Sequence, residues 1–106
     1  TYTVANIPWE SALYANYTNV TSFFSAYVTG GSTSNVTISF NLLPATVVGT
    51  ITVAAAASAA RVTSAVFQPA AFSTTAAQSR LRVTVTRGSA GGTDPIIEGI
   101  NLVLGS

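Results

Sequence analysis

Short runs in which apolar and polar residues strictly alternate constrain this chain most. In the run Val36–Leu42, apolar side chains occupy every second position, and Thr, Ser and Asn lie between them. The run Arg80–Arg87 repeats the pattern with Leu81, Val83 and Val85. Because successive side chains of a strand point to opposite faces, this period predicts strands with one buried and one solvated face.

The last quarter of the sequence predicts a β-hairpin. A strand over 80–87 precedes the glycine-rich segment 88–94, and the run 95–104 returns with Ile100, Leu102 and Leu104 on one face. This stretch holds three of the four arginines and two of the three acidic residues. We expect Asp94 to shape the turn and Glu98 to pair with an arginine on the facing strand.

The whole chain predicts seven or eight short strands separated by turns that contain Gly and Pro. This pattern is typical of a single all-β domain over 1–106, an antiparallel β-sandwich with a jelly-roll-like arrangement. Gly49 lies inside a predicted strand and indicates a bulge or a close approach of backbone. The alanine-rich stretch 54–60 leaves two alternatives open, a strand with a loop or a short helix.

The inventory of reactive side chains argues against catalysis. The sequence has no His and no Cys, and all four of its basic residues are arginines. A general base, an activated thiol and a lysine-assisted serine are therefore missing. A pair of carboxylates for glycoside hydrolysis could come only from Glu10, Asp94 and Glu98, and we expect structural roles for Asp94 and Glu98 instead. Asp94 and Glu98 are also the only local pair that could contribute to a calcium site, where the structural interpretation is again favoured, and zinc has no ligands. We expect no enzymatic activity, no metal and no cofactor.

The small number of charged residues limits the classes of partner that the chain is expected to bind. A net charge of +1 argues against nucleic acid, since binding phosphates needs a clustered basic face. No apolar run approaches the roughly 20 residues that span a bilayer, so we expect no membrane insertion. Few charges also mean weak repulsion between copies, which favours an oligomer. The start at Thr1 and the absence of Met suggest a processed chain or a domain cut from a longer one.

A cluster of aromatic and amide side chains in residues 9–19 is the predicted ligand site. Flat aromatic faces beside amide groups suit a neutral sugar, and Tyr2 and Tyr27 complete the aromatic set. The alternative is that Trp9 and Tyr14 close one end of the sandwich. Sequons start at Asn16, Asn19 and Asn35. The candidate binding residues are Trp9, Tyr14, Asn16, Tyr17 and Asn19.

The runs 36–40 and 82–86, together with the final strand 101–104, resemble the small head domains of bacteriophage tail fibres and receptor-binding proteins. The resemblance implies a compact sandwich on the virion surface or outside the cell, a homotrimer, and recognition of a cell-surface glycan. The chain is also similar to subunits of pili and adhesion threads, with residues 2–7 as the donated strand, and to capsid decoration proteins. In that alternative it is a self-assembling structural subunit.

Overall fold

The computed structural model describes residues 2–9, 11–31, 34–43, 46–72, 80–88 and 92–105. Two short 3-10 helices, Ser11–Tyr14 and Pro69–Phe72, pack against each other at one end of the molecule. The strands are β1 (Tyr2–Pro8), β2 (Phe23–Thr29), β3 (Val36–Leu42), β4 (Thr46–Val53), β5 (Ala60–Thr63), β6 (Arg80–Arg87) and β7 (Ile96–Val103).

The strands form two antiparallel sheets. The four-stranded sheet has the order β1-β6-β3-β4, and the three-stranded sheet has the order β5-β2-β7. The predicted all-β sandwich is confirmed. The described strands number seven, one fewer than the eight of a jelly roll.

The core lies between the sheets and follows from the alternation in the sequence. Every second residue of β3 is buried, and Leu81, Val83 and Val85 of β6 point to the same side. Phe24 of β2 stacks on Phe40, with 4.0 Å between the ring centroids. Phe24 also stacks on Phe67, with 5.2 Å between the ring centroids. Burial of each of these large apolar side chains stabilises the fold by about 1.5–3 kcal/mol.

The predicted hairpin at the end of the chain is wrong. β6 pairs with β1 and β3 in one sheet, whereas β7 pairs with β2 in the other. Apolar side chains of both strands line the cavity between the sheets, and the connection between the two strands passes from one sheet to the other. Arg87 and Asp94 form an ion pair across this connection. The predicted partner of Glu98 is also wrong, because the residue opposite Glu98 is Tyr27 of β2 rather than an arginine.

The alanine-rich stretch 54–60 forms a turn and the start of β5, and it contains no helix. Ala56 has a φ of 60°, in the left-handed region. The backbone of the turn bonds to the β2–β3 connection, where Gly30 N donates to Ala57 O at 2.9 Å and Ala55 N donates to Asn35 Oδ1 at 3.1 Å. These non-local hydrogen bonds override the helix propensity of alanine.

Among the described strands, three of the four that lie at sheet edges contain a register shift. The irregularities lie between Thr3 and Ala5 in β1, opposite Phe40 and Asn41 in β4, and opposite Ala26 and Tyr27 in β7, where Gly99 has a φ of 84°. The irregularity predicted from Gly49 is confirmed. Bulges of this kind interrupt the row of free backbone groups that an edge presents to other chains.

Candidate functional site

The structure separates the residues of the predicted ligand cluster. Trp9 is buried at 3% exposure, and its ring centroid lies 4.5 Å from that of the partly buried Tyr14. Both rings line a largely apolar cavity of about 190 Å³ between the sheets. Burial raises the pKa of Tyr14 above its ordinary value. This placement matches the alternative in which the two rings close the end of the sandwich.

The other three predicted residues lie nearer the surface. Asn16 and Asn19 are exposed, and Tyr17 is partly buried. The carbonyl of Tyr17 accepts a hydrogen bond from Ala70 N at 3.3 Å, which ties the segment to the second 3-10 helix. The Trp9 and Tyr14 rings therefore do not join these polar groups on one surface.

A different set of side chains meets on the outer face of the three-stranded sheet. Tyr27 lies on the central strand β2 and is 44% exposed, although its neighbours Ala26 and Val28 are buried in the core. In the register of the sheet, Arg61 of β5 lies opposite Tyr27 on one side and Glu98 of β7 lies opposite it on the other. Since adjacent strands are about 4.8 Å apart, the Cα atoms of these two charged residues are separated by about 10 Å.

Contacts on the same face fix two of these side chains. The Tyr27 hydroxyl donates to Ala59 O at 3.5 Å, so the ring lies across the gap between β2 and the start of β5. The guanidinium carbon of Arg61 lies 5.8 Å from the centroid of the Phe23 ring, within range of a cation–π interaction. Arg61, Glu98 and Asn101 are all exposed, and Asn101 lies opposite Ser25 in the next row.

We call the set Tyr27, Arg61, Glu98 and Asn101 the Tyr27 face. It combines an aromatic surface, a fork of N–H donors, a carboxylate acceptor and an amide. Sequence reasoning included Tyr27 in the aromatic set but missed its partners, because they lie on strands 34 and 71 positions further along the chain. The alternation of β2, with Phe24, Ala26 and Val28 inward, was the available signal that Tyr27 points outward.

A groove runs along the side of the sandwich where β1 and β7 are the edge strands. The larger of two cavities there has a volume of about 320 Å³ and is lined by Tyr2, Val4, Val85, Arg87, Asp94, Pro95 and Ile97. The second cavity is the one beneath Trp9 and Tyr14. Trp9 Nε1 is buried and has no hydrogen-bond partner among the described residues.

The described part of the chain holds neither a cluster of metal ligands nor a helix that could span a membrane. Within it, no three acidic, His or Cys side chains lie close enough together to hold a metal ion. Its helices are all too short or too polar to cross a membrane. Compared with known proteins, the chain matches no family model, no curated protein and no solved structure.

Proposed function

We propose that this chain is a non-enzymatic adhesion domain, displayed outside the cell or on a virion, that binds a neutral glycan through the Tyr27 face. The observation that carries the proposal is the row Arg61–Tyr27–Glu98, in which two polar groups of opposite charge flank an exposed aromatic ring. This row replaces the predicted cluster in residues 9–19 as the proposed binding site.

The chemistry of the row suits a pyranose. One apolar face of the sugar stacks on Tyr27, and its hydroxyls donate to the Glu98 carboxylate and accept from the Arg61 guanidinium. A single ring fits between the two charged residues, whose Cα atoms are about 10 Å apart. The charges of Arg61 and Glu98 offset each other, so the row offers no net attraction to a charged sugar and the proposed ligand class is neutral.

Removal of the Tyr27 ring tests the site. We expect Tyr27→Ala to weaken binding on an array of neutral glycans about tenfold or more, because the stacking surface is lost. Tyr27→Phe keeps the ring and should retain most of the binding. Tyr17→Ala removes a tyrosine from the originally predicted cluster and is the matched control. Loss of binding in Tyr17→Ala with retention in Tyr27→Ala would move the site to residues 9–19.

Association between copies forms part of the proposal, because multivalency turns weak single-site contacts into useful avidity. With four arginines and three acidic residues in 106 positions, little charge keeps copies apart. The resemblance to fibre heads implies a trimer. The open side of the sandwich, between β1 and β7, favours a contact between two copies instead.

A second candidate function is that of a self-assembling structural subunit. It is favoured by β1, none of whose residues with described burial is fully buried, as expected of a strand that a subunit can donate. Electron microscopy tests this function, since strand donation along a chain of subunits gives filaments.

A further inference from the structure

Among the described strands, the four-stranded sheet has one strand more than the other sheet, and the additional strand is β1. At the other side of the sandwich, β4 contacts both β2 and β5, and its side chains Val48, Ile51 and Val53 are buried. Among the described strands, β1 packs closely only against its neighbour β6. The register with β6 sets Tyr2 and Ile7 opposite the buried residues Val85 and Leu81, so both side chains point inward, yet they are 71% and 48% exposed.

The sandwich therefore has a step along this side. Within the described part of the chain, no strand fills the position beside β7 in the three-stranded sheet that lies across from β1, and we call this position the vacancy. The groove described above is this vacancy, and apolar residues of β1, β6 and β7 line it. Arg87 and Asp94, the charged residues along it, pair with each other at one end, so the middle of the groove presents no charge to an occupant.

The directions of the strands determine how a second copy fits. β1 runs antiparallel to β6. β7 also runs opposite to β6, since Val85 and Arg87 share one cavity with Pro95 and Ile97, whereas Leu81 and Val83 share the other with Ile100 and Leu102. β1 and β7 therefore run in the same direction. A two-fold axis parallel to the strands leaves this direction unchanged and exchanges the two layers.

We infer that a second copy of this chain occupies the groove through that two-fold axis. The second copy's β1 takes the vacant position beside β7, and the first copy's β1 takes the equivalent position in the second copy. Each layer then contains the strand order β4-β3-β6-β1 of one copy followed by β7-β2-β5 of the other. The two β1 strands face each other across the axis, and their residues Tyr2, Ala5 and Ile7 become buried.

The edge formed by β1 and β7 is more complementary to the same edge of a second copy than a direct β7–β7 contact would be. Two β7 strands cannot pair directly, because each overhanging β1 would collide with the β6 strand of the other copy. The isologous contact is self-complementary and closes at two copies, so it gives a dimer rather than a trimer or a filament. β1 and β7 supply seven and eight residues on each copy. A standard interface uses roughly 20–30 residues a side, so we expect a dimer that dissociates on dilution.

This inference does not rest on saccharide binding, since the groove and the Tyr27 face are different surfaces. Light scattering over a concentration series tests it directly. We expect the mass to rise to twice the 10.8 kDa of one chain and then to stay constant. A monomer at all concentrations, a trimer, or a mass that keeps growing would overturn the inference.

Ile7→Lys and Thr3→Lys form a matched pair of variants on β1. Ile7 points into the groove, whereas Thr3 lies opposite Thr84 on the outer face and is exposed. Ile7→Lys puts two like charges on facing strands, so we expect the dissociation constant of the dimer to rise about 100-fold or more. Thr3→Lys adds the same charge outside the contact and should remain dimeric. A dimer that persists in Ile7→Lys would overturn the inference.

Ile7 and Thr3 are both exposed in the single chain, so we expect both lysine variants to fold. Thermal unfolding followed by circular dichroism checks that they do. A short bismaleimide reagent that spans about 10 Å, the spacing between packed sheets, gives a second readout. The chain has no cysteine of its own, so Ala5→Cys should be linked into covalent dimers and Thr3→Cys should not. Equal linking of the two would overturn the inference. Tyr27→Ala should leave the mass unchanged, which keeps the failure of one proposal separate from the failure of the other.

Discussion

At the scale of single residues, Ser64 makes one of the few buried side-chain hydrogen bonds in the described core. Its Oγ accepts from Phe24 N at 2.9 Å, and it also donates to Ala65 O at 2.9 Å. Ser64 is 7% exposed and Phe24 is 2% exposed, so water cannot replace a lost partner. The hydroxyl thereby anchors the end of β5 to the central strand β2.

We expect Ser64→Ala to lower the free energy of unfolding by about 1–3 kcal/mol, because it leaves the buried N–H of Phe24 without an acceptor. Urea unfolding followed by fluorescence measures the change. Thr63→Ala is the control, since Thr63 is exposed and makes no such bond among the described residues. Equal effects of the two substitutions would show that the hydroxyl of Ser64 does not support the core.

Tyr14 links stability to pH. Burial raises its pKa above the ordinary value near 10, so the folded state disfavours the phenolate more than the unfolded state does. The contribution to stability is present below pH 10 and is lost as the pH rises through the raised pKa. We expect the free energy of unfolding to fall less between pH 9 and about pH 11 in Tyr14→Phe than in the wild-type chain. Identical falls would contradict this assignment.

At the scale of elements, the strands themselves could be predicted and their partners could not. The period-2 pattern gave β3 and β6 with correct bounds, because alternation reports which face of a strand is buried. It carries no information about which strand lies alongside. The predicted hairpin over 80–104 is wrong for this reason. β6 and β7 each have one apolar face, and such a face can turn toward the core whether the two strands pair in one sheet or lie in different sheets.

The binding site shows the same limit. Trp9 and Tyr14 are five positions apart in the sequence, and their rings lie together in the structure, with the short helix Ser11–Tyr14 between them. Their burial depends on the cavity between the sheets, which no local pattern reveals. The row Arg61–Tyr27–Glu98 depends on the register of three strands, so it became visible only with the sheet assembled.

Packing also determines the conformation of the turn at 54–60, which contacts the β2–β3 connection. A Cβ atom on Gly30 would lie 2.5 Å from Ala54 O and 2.6 Å from Ala57 N, both backbone atoms that cannot move aside. We expect Gly30→Ala to lower the free energy of unfolding by about 1–3 kcal/mol, as overpacking does elsewhere. Differential scanning calorimetry measures the shift.

Gly88→Ala is the matched control for Gly30→Ala. A Cβ atom there would meet Ser34 Cβ at 3.5 Å, an ordinary contact, and the position is exposed. A change within about 0.5 kcal/mol is expected for such a site. If Gly30→Ala were tolerated as well as Gly88→Ala, the turn would not be packed as tightly as the structure has it.

At the scale of the whole molecule, the chain offers two surfaces with different chemistry. The groove between β1 and β7 is apolar and suits another copy of the chain. The Tyr27 face carries an aromatic ring between opposite charges and suits a small polar ligand. The interlocked dimer would hold two Tyr27 faces on its opposite outer surfaces, because the two-fold axis exchanges the layers.

Saccharide binding at the Tyr27 face is the central claim, and chemical-shift mapping tests it most directly. The ¹⁵N-labelled protein would be titrated with the neutral sugars glucose, galactose and N-acetylglucosamine at high concentration. We predict that at least one of them shifts the backbone signals of Tyr27, Arg61 and Glu98, while the signals of Asn16, Tyr17 and Asn19 stay in place. Shifts confined to residues 9–19, or no shift with any of the sugars, would contradict the claim.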